Sequence, residues 1–278
     1  MRKTQIILLQ KALRETVAPE IVVDGLWGSN SVKALNKYAS ANGVSVSNGE
    51  ALLNDYIKAR FATDEAYAQA AAKLKVPEHY VRAVAEVETN GSSFLADGRM
   101  KILFERHWFY KKLKEALAKA PVQKHVESIL GKGPVDARIV ADILFVEVTK
   151  KYSDICNAKS GGYLGGAAEW DRLDKAMSID IEAACQSASY GGFQLMGFNH
   201  MFCGYPTAKA MMLDLAGSES KQLMAVVTFI LSQPSMLKAL RAGDWPTFAK
   251  WYNGPNYAIN KYDIKLAKAE SKWHAELA

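Results

Sequence analysis

Cysteine is scarce in this chain: Cys156, Cys185 and Cys203 are the only three among 278 residues. An odd number, with no CxxC and no paired spacing, excludes a disulfide framework and points to reduced, structural thiols. Long apolar runs are also missing. No stretch approaches the ~18 uninterrupted apolar residues of a membrane helix. The opening "MRKTQIILLQKALRE" meets Gln10 and Lys11 after only four strongly apolar residues. Neither an export signal nor a membrane anchor is therefore expected. There is no basic helix and no aromatic RNA-binding segment, so nucleic acid is not an expected partner. His79, His107, His125, His200 and His274 show no ligand spacing, so neither a metal nor another cofactor is expected.

What is present is an ordinary globular composition, 49% apolar with 10% aromatics, far from that of a disordered chain. Domains cluster near ~100 to 200 residues, so this length suggests two unequal ones. Net charge is +6 with a pI of about 9.0, which favours an anionic partner. That governs approach rather than chemistry.

The first part of the chain carries its own helical pattern. "IILLQKALRE" and "NSVKALNKYA" have apolar residues at helical spacing, and Asn30 or Ser31 can cap the second segment. A third helix, "GEALLNDYIKARF", is expected after a flexible "ANGVSVSNG", closing a three-helix module near Phe61. A boundary near residue 63 divides the chain into 1–62 and 63–278. "ATDEAYAQAAAKLKV" then reads as a helix capped by Thr63 or Asp64, and Pro77 suits the first position of the next. "FLADGRMKILFERH" places Asp97-Gly98 between apolar residues, which predicts a short hairpin. "ESKQLMAVVTFILS" is apolar on several faces through Leu223, Val226, Val227, Ile230 and Leu231, as in a buried central helix. The fold class expected is mainly α with a small α+β element.

"AEVETNG", residues 85–91, holds two glutamates at the end of an apolar-patterned helix. Val84, Val81 and Ala85 lie four, seven and three residues before Glu88, which puts that carboxyl on the apolar stripe. Desolvation disfavours the carboxylate, raises its pKa, and leaves an acid able to protonate a glycosidic oxygen. Glu86 is rotated about 200° away, at two steps of ~100° each, and Arg82 four residues earlier is its expected partner on the solvated face. A second reading of Glu88 is a buried acid satisfied by an arginine or a backbone donor.

Two later segments add side chains suited to sugars. "SASYGGFQLMG" offers Tyr190, two glycines that permit close backbone approach, and the amide of Gln194. "WYNGPNY" ends a helix with Tyr252 and Asn253. Aromatic faces and amides suit sugar rings that carry N-acetyl groups. Each segment alone also reads as a plain helix-ending turn.

Taken with "VETNG", these segments resemble the lysozyme superfamily in order and character. "DGRMKILFERHWFY", "SASYGGFQLMGFNHMFCGY" and "YNGPNYAINKYDIKLA" are similar to the N-acetylmuramidase domain of phage endolysins over residues 67–278. Near the start, "LLQKAL" and "VVDGLWGSNSVKAL" resemble the three-helix peptidoglycan-binding module, whose turn here is Asp24-Gly25-Leu26-Trp27-Gly28. Trp27 either covers the core or shapes a wall-binding groove. The resemblance implies a peptidoglycan-binding module ahead of a lysozyme-like α+β catalytic domain.

By that resemblance Glu88 is the general acid that protonates the oxygen between N-acetylmuramic acid and N-acetylglucosamine. Tyr190, Gln194, Tyr252 and Asn253 are the expected substrate contacts, and Asp24, Gly25, Trp27 and Gly28 the expected wall-binding turn. A second carboxylate would stand about 5 to 5.5 Å away for a covalent route or about 6.5 to 9.5 Å for an activated water. Asp97 has the interval from Glu88 seen in phage-type lysozymes, but Leu103 stands where those have threonine, and Asp-Gly is favoured in turns for backbone reasons alone. Glu105 in "LFERH" is the other candidate, with an ion pair to Arg106 or His107 as its structural reading. Goose-type relatives lean on one glutamate.

Two alternatives stay open at this point. A lytic transglycosylase also uses one glutamate and releases an anhydromuramyl product, and a non-catalytic wall-binding protein would need only the first module. The resemblance further implies a monomer without stable membrane insertion. It would collect in the host cytoplasm and reach the periplasmic wall after another phage component permeabilises the membrane.

Overall fold

A computed structural model of the chain describes residues 1–89, 93–119 and 137–278. Asn90, Gly91 and His125 lie outside the described residues. The chain forms two compact units, Met1–Arg99 with Asp214–Ala278 and Met100–Leu213. The sequence boundary at 62/63 falls inside the first unit, where residues 9–61 assemble a hydrophobic cluster of their own.

That cluster is built by α1 (Lys3–Thr16), α2 (Ser29–Ala41) and α3 (Val46–Arg60), which bring Leu9, Leu13, Leu35, Tyr38, Leu53, Ile57 and Phe61 together. Two local expectations change. Neither Asn30 nor Ser31 caps α2: its N-cap is Gly28, without a side-chain bond, and Ser31 is buried and receives the amide of Gln10. Half of the stretch read as flexible is helical, because Ser45 caps α3 through Asn48 N. Gly49 is required there, since a Cβ would lie 2.7 Å from the Ala39 side chain where the two helices touch.

The rest of this unit contains α4 (Asp64–Leu74) and α5 (Glu78–Thr89). After the second unit the chain returns as Glu219–Leu231, Pro234–Ala242, Trp245–Asn253 and Tyr262–Leu277. Pro77 precedes α5 by one residue rather than opening it. The C-terminal helix Tyr262–Leu277 packs along α5. Leu223, Val226, Val227 and Ile230 of Glu219–Leu231 are buried as expected, but Leu231 is 40% exposed, because it is the last residue before the chain turns. Among the described residues no single helix is long and apolar enough to cross a membrane.

The second unit holds a three-stranded antiparallel sheet, β1 (Ile102–Phe104), β2 (Ala188–Tyr190) and β3 (Leu195–Met196), in that order. The unit also contains helices Arg106–Lys119, Ala137–Lys151, Ala168–Met177 and Ile181–Gln186, of which Ala168–Met177 packs on β1. The turn expected at Asp97-Gly98 is present, closed by Leu95 N to Arg99 O at 2.8 Å with φ +84° at Gly98, and its flanking β structure is limited to single bridge residues, Phe94 and Met100. β1 pairs instead with β2, Ile102 opposite Tyr190 and Phe104 opposite Ala188. The true hairpin is β2–β3, with Tyr190 opposite Leu195. Turn chemistry is local, whereas the choice of strand partner depends on which apolar faces meet in the folded chain.

Candidate active site

In the first unit, α5 buries Val81, Val84 and Ala85 and carries Glu88 in its last turn. The Glu88 side chain is half-buried. One of its oxygens, Oε1, accepts a 3.1 Å hydrogen bond from Nδ2 of Asn253, the final residue of Trp245–Asn253. Burial pushes the Glu88 carboxyl up to about 7, against the opposing pull of the Asn253 bond and of Lys265. Burial, and secondarily the nearby Glu88 charge, raises Tyr262 on the same helix as Lys265. Oε2 of Glu88 makes no hydrogen bond to protein among the described residues. The group is therefore an acid near half protonation at neutral pH, fixed through one oxygen and free at the other.

Glu86 points away, as its place on the helix requires, but its expected partner is corrected. Arg82 is 4% exposed and pairs with Asp64 and Glu78, both at 2.7 Å. Its guanidinium lies over the rings of Tyr67 and Trp273. Glu86 instead accepts from Lys272 at 2.7 Å and from the Trp273 indole at 2.8 Å. Helical spacing reports only neighbours on α5 itself, whereas residues of α4 and of the C-terminal helix cover Arg82. A cavity of about 280 Å³, lined by Tyr67, Arg82, Glu86 and Trp273 among others, opens on the Glu86 side of α5, away from Glu88.

Asp97 is exposed and bound within its own turn. It accepts from Arg99 N at 3.0 Å and from the Arg99 guanidinium at 2.8 and 2.9 Å. Those Arg99 bonds hold its carboxyl below the usual range.

In the second unit, Glu105 follows β1 directly. Its Oε2 accepts the Tyr163 hydroxyl at 2.6 Å, and His107 Nδ1 lies 3.2 Å from the same oxygen. The histidine contact is within ion-pair range but outside hydrogen-bond geometry. Arg106 goes elsewhere, to the carbonyls of Lys159 and Ser160 at 2.9 Å. Oε1 of Glu105 makes no hydrogen bond to protein among the described residues.

Tyr190 is corrected as a sugar contact: it is 1% exposed, and its hydroxyl donates to Cys185 O at 2.7 Å. It sits in the sheet with its ring in the core. Gln194 takes a left-handed backbone at φ +50°. Its amide donates to Gly191 O at 2.6 Å and accepts from the Ser189 hydroxyl at 2.7 Å, which holds the β2–β3 turn while the residue stays exposed. Tyr252 stacks on Phe248 with centroids 5.7 Å apart.

At the N-terminal turn, buried Gln10 is the organiser. Its amide donates to Asp24 Oδ1, Leu26 O and Ser31 Oγ, and its carbonyl accepts from Asp24 N and Gly25 N. Asp24 in turn accepts from Leu26 N, the bond that does most to lower its carboxyl. Gly25 has φ +74°, and a Cβ there would lie 2.7 Å from Lys3. Trp27 packs against the module core, and Gly28 is the N-cap of α2.

Sequence reasoning missed Tyr163, Glu169 and Arg172. Glu169 and Arg172 form a buried ion pair at 2.7 Å. Burial acts to raise Glu169, but bonds from Gly165, Leu164 and Phe104 N–H and the charge of Arg172 outweigh it and leave the carboxyl lowered. The signal was the twin glycines in "SGGYLGG", which mark a loop of fixed shape. Among the described residues no cluster of three His, Cys, Asp or Glu side chains is set to hold a metal.

A mainly helical fold with a small antiparallel sheet and an acid of raised pKa closing an apolar helix describes a lysozyme-like glycoside hydrolase. Residues 77–274 match the Muramidase family model, described as N-acetylmuramidase, and the chain belongs to that family. A solved structure, the endolysin of Burkholderia AP3 phage, is similar over 100% of this chain and 97% of its own, at 33% identity and a TM-score of 0.66. No curated protein matches the chain.

Proposed function

We propose that the chain is a phage endolysin that hydrolyses the β-1,4 bond between N-acetylmuramic acid and N-acetylglucosamine in bacterial peptidoglycan, with Glu88 as its general acid. The observation that carries this reading is the half-buried Glu88 carboxyl, at about 7 and anchored by Asn253. A carboxyl in that condition still holds a proton at neutral pH and delivers it to the departing sugar oxygen as the bond breaks. The cation-like sugar that develops needs an anion or an activated water to complete hydrolysis. Glu105 is our choice for that second group. Asp97 is committed to Arg99 and to its turn. Asn253 serves first by aiming Glu88, and Tyr252 stands beside it.

Residues 1–62 are proposed as the wall-binding module and 63–278 as the catalytic part, on the separate hydrophobic cluster of the first three helices. In the turn Asp24-Gly25-Leu26-Trp27-Gly28, the bonds to Gln10 fix the backbone, and exposed Leu26 and Val22 supply surface for the wall polymer. Host lysis as the biological outcome follows the likeness to a phage endolysin. On the same ground the protein acts as a monomer, without stable membrane insertion. It reaches the periplasmic wall from the host cytoplasm once the membrane has been permeabilised.

The test is digestion of purified peptidoglycan followed by mass analysis of the products. Reducing N-acetylmuramic acid ends support the hydrolase, and anhydromuramyl ends would replace it with a transglycosylase. Glu88→Gln that still pellets with the wall but no longer clears it excludes a purely binding role.

A further inference from the structure

The cavity of about 280 Å³ beside Glu86 belongs wholly to the first unit. Its walls come from α1, α4, α5, the C-terminal helix and the start of Glu219–Leu231. Most of its charges are paired within the protein. Arg82 is gripped by Asp64 and Glu78 and lies between the rings of Tyr67 and Trp273, at 4.4 and 5.1 Å from their centres. Lys272 and the Trp273 indole hold one oxygen of Glu86, and Lys3 pairs with Glu276 at 3.0 Å.

Lys11, Glu219 and Tyr67, which also line it, stand apart from that pairing. Lys11 lies over the Phe61 ring at 5.8 Å and has no carboxylate within ion-pair range among the described residues. Glu219 receives only the N–H of Ala62, at a long 3.4 Å. The Tyr67 hydroxyl makes no hydrogen bond to protein among the described residues, and burial, followed by the Glu219 charge, raises its pKa. Phe61 and Ala62 are consecutive, so the open ammonium and the open carboxylate stand at one end of the cavity without closing on each other. Ile7, Leu8 and Ala85 add apolar wall. A neutral sugar entering here would strip water from both charges without replacing it, and a simple anion would do so at Glu219. A ligand carrying both signs compensates both.

We propose that this cavity binds an amino-acid zwitterion at the end of an alkyl chain, with Lys11 engaging its carboxylate, and Glu219 and the Tyr67 oxygen accepting from its ammonium. The volume lies just under the ~300–1,000 Å³ of small-molecule sites, which suits one such end group. A second hollow of about 790 Å³ shares Lys3, Thr4, Asp64 and Arg82 with the first and gives room for the rest of a peptide. In peptidoglycan the matching group is the free end of a diaminopimelate residue in the stem peptide. Naming the ligand so rests on the peptidoglycan reading, whereas the chemistry of the site does not. The cavity is separate from the Glu88 side of α5, so the site recognises the substrate's peptide and takes no part in bond cleavage.

The experiment is calorimetric titration of the full-length protein with synthetic L-alanyl-γ-D-glutamyl-meso-diaminopimelate, beside the same peptide acetylated on the free diaminopimelate amine. Lys11→Met and Glu219→Gln are titrated in parallel, with thermal unfolding of each. The peptide is expected to bind with a Kd below about 1 mM, and acetylation, Lys11→Met and Glu219→Gln each to weaken it about tenfold or more. Absence of binding at millimolar peptide overturns the proposal, as does equal binding of the acetylated peptide to the unaltered protein. So does an unchanged Kd in folded Lys11→Met and Glu219→Gln. Wall digestion by the same preparation separates the two levels. Wild type that releases reducing N-acetylmuramic acid ends but binds no peptide loses only this site; wild type that binds the peptide but releases no such ends keeps the site and loses the hydrolase.

Discussion

Glu88 and Asn253, 165 positions apart in the chain, are joined by one 3.1 Å hydrogen bond in which the amide donates to the carboxyl. Both residues close helices, Glu88 in the last turn of α5 and Asn253 at the end of Trp245–Asn253. The bond works against burial, moderating a pKa that desolvation drives upward. It also selects which oxygen is free to meet a substrate.

Removing that amide therefore has a directional consequence. Asn253→Ala withdraws a donor that favours the charged form, so the Glu88 pKa rises further above about 7. The basic limb of the kcat/KM profile, which reports the free enzyme's acid, moves to higher pH, while kcat falls about tenfold from lost aim. A basic limb that stays in place or moves down contradicts the assignment of Glu88 as the acid.

The same burial makes Glu88 costly to the fold. Its carboxyl rises from 4.5 to about 7, so the folded state holds this proton more tightly than the unfolded chain. The associated stability is fully present below about 4.5, declines as pH rises, and is gone above about 7. Across that window the loss is about 3–4 kcal/mol, taking ~1.4 kcal/mol per unit. Glu88→Gln, neutral throughout, should be inactive yet more stable than wild type at pH 8, and about equal to it at pH 4. Chemical denaturation at both pH values measures this, and a Gln variant less stable at pH 8 would mean the carboxylate is well satisfied.

Glu86 and Asp97 provide the contrast. Glu86 is bonded to Lys272 and Trp273 on the exposed face, and exposed pairs contribute about 0–1 kcal/mol. Glu86→Gln should keep turnover within about twofold of wild type and lower stability by less than about 1 kcal/mol. Asp97→Asn retains a turn-forming side chain and should also keep most turnover, whereas Glu105→Gln should not. Loss of activity in Asp97→Asn with Glu105→Gln intact would exchange their roles.

Gln10 tests the N-terminal module. Gln10→Leu removes the acceptor of Asp24 N and Gly25 N and the donor to Asp24, Leu26 and Ser31. Each buried group left unsatisfied costs about 1–3 kcal/mol, so urea unfolding should show a loss of about 2–4 kcal/mol. Pelleting with insoluble wall should weaken while kcat on soluble chains is kept. Unaltered pelleting by a folded variant would argue against this turn as the wall-binding surface.

Much of the fold was legible where chemistry is local. Helical spacing located the first three helices, α4 and α5, whereas the bonds from Gln10 to the Asp-Gly turn are visible only in the folded chain. Caps and strand partners were less legible. Ser31 has the chemistry of a cap but is drawn inward by Gln10. "KILF" has the chemistry of a hairpin arm, but it pairs with β2 because Ile102 and Phe104 share a buried face with Ala188 and Tyr190. Tyr190 differs from expectation for a related reason: an aromatic beside two glycines looks available, and only the sheet shows that its ring is enclosed.

The sequence by itself determined that Glu88 lies on the apolar side of its helix and Glu86 on the other, because a helix of 3.6 residues per turn settles facing from spacing alone. Tertiary structure alone decided what each side chain meets there: Asn253 for Glu88, Lys272 and Trp273 for Glu86, Tyr163 for Glu105. Those partners are distant in the chain, and they meet only because burying apolar helix and sheet faces brings their backbones together. Hydrogen bonds then fix orientations that no local pattern encodes.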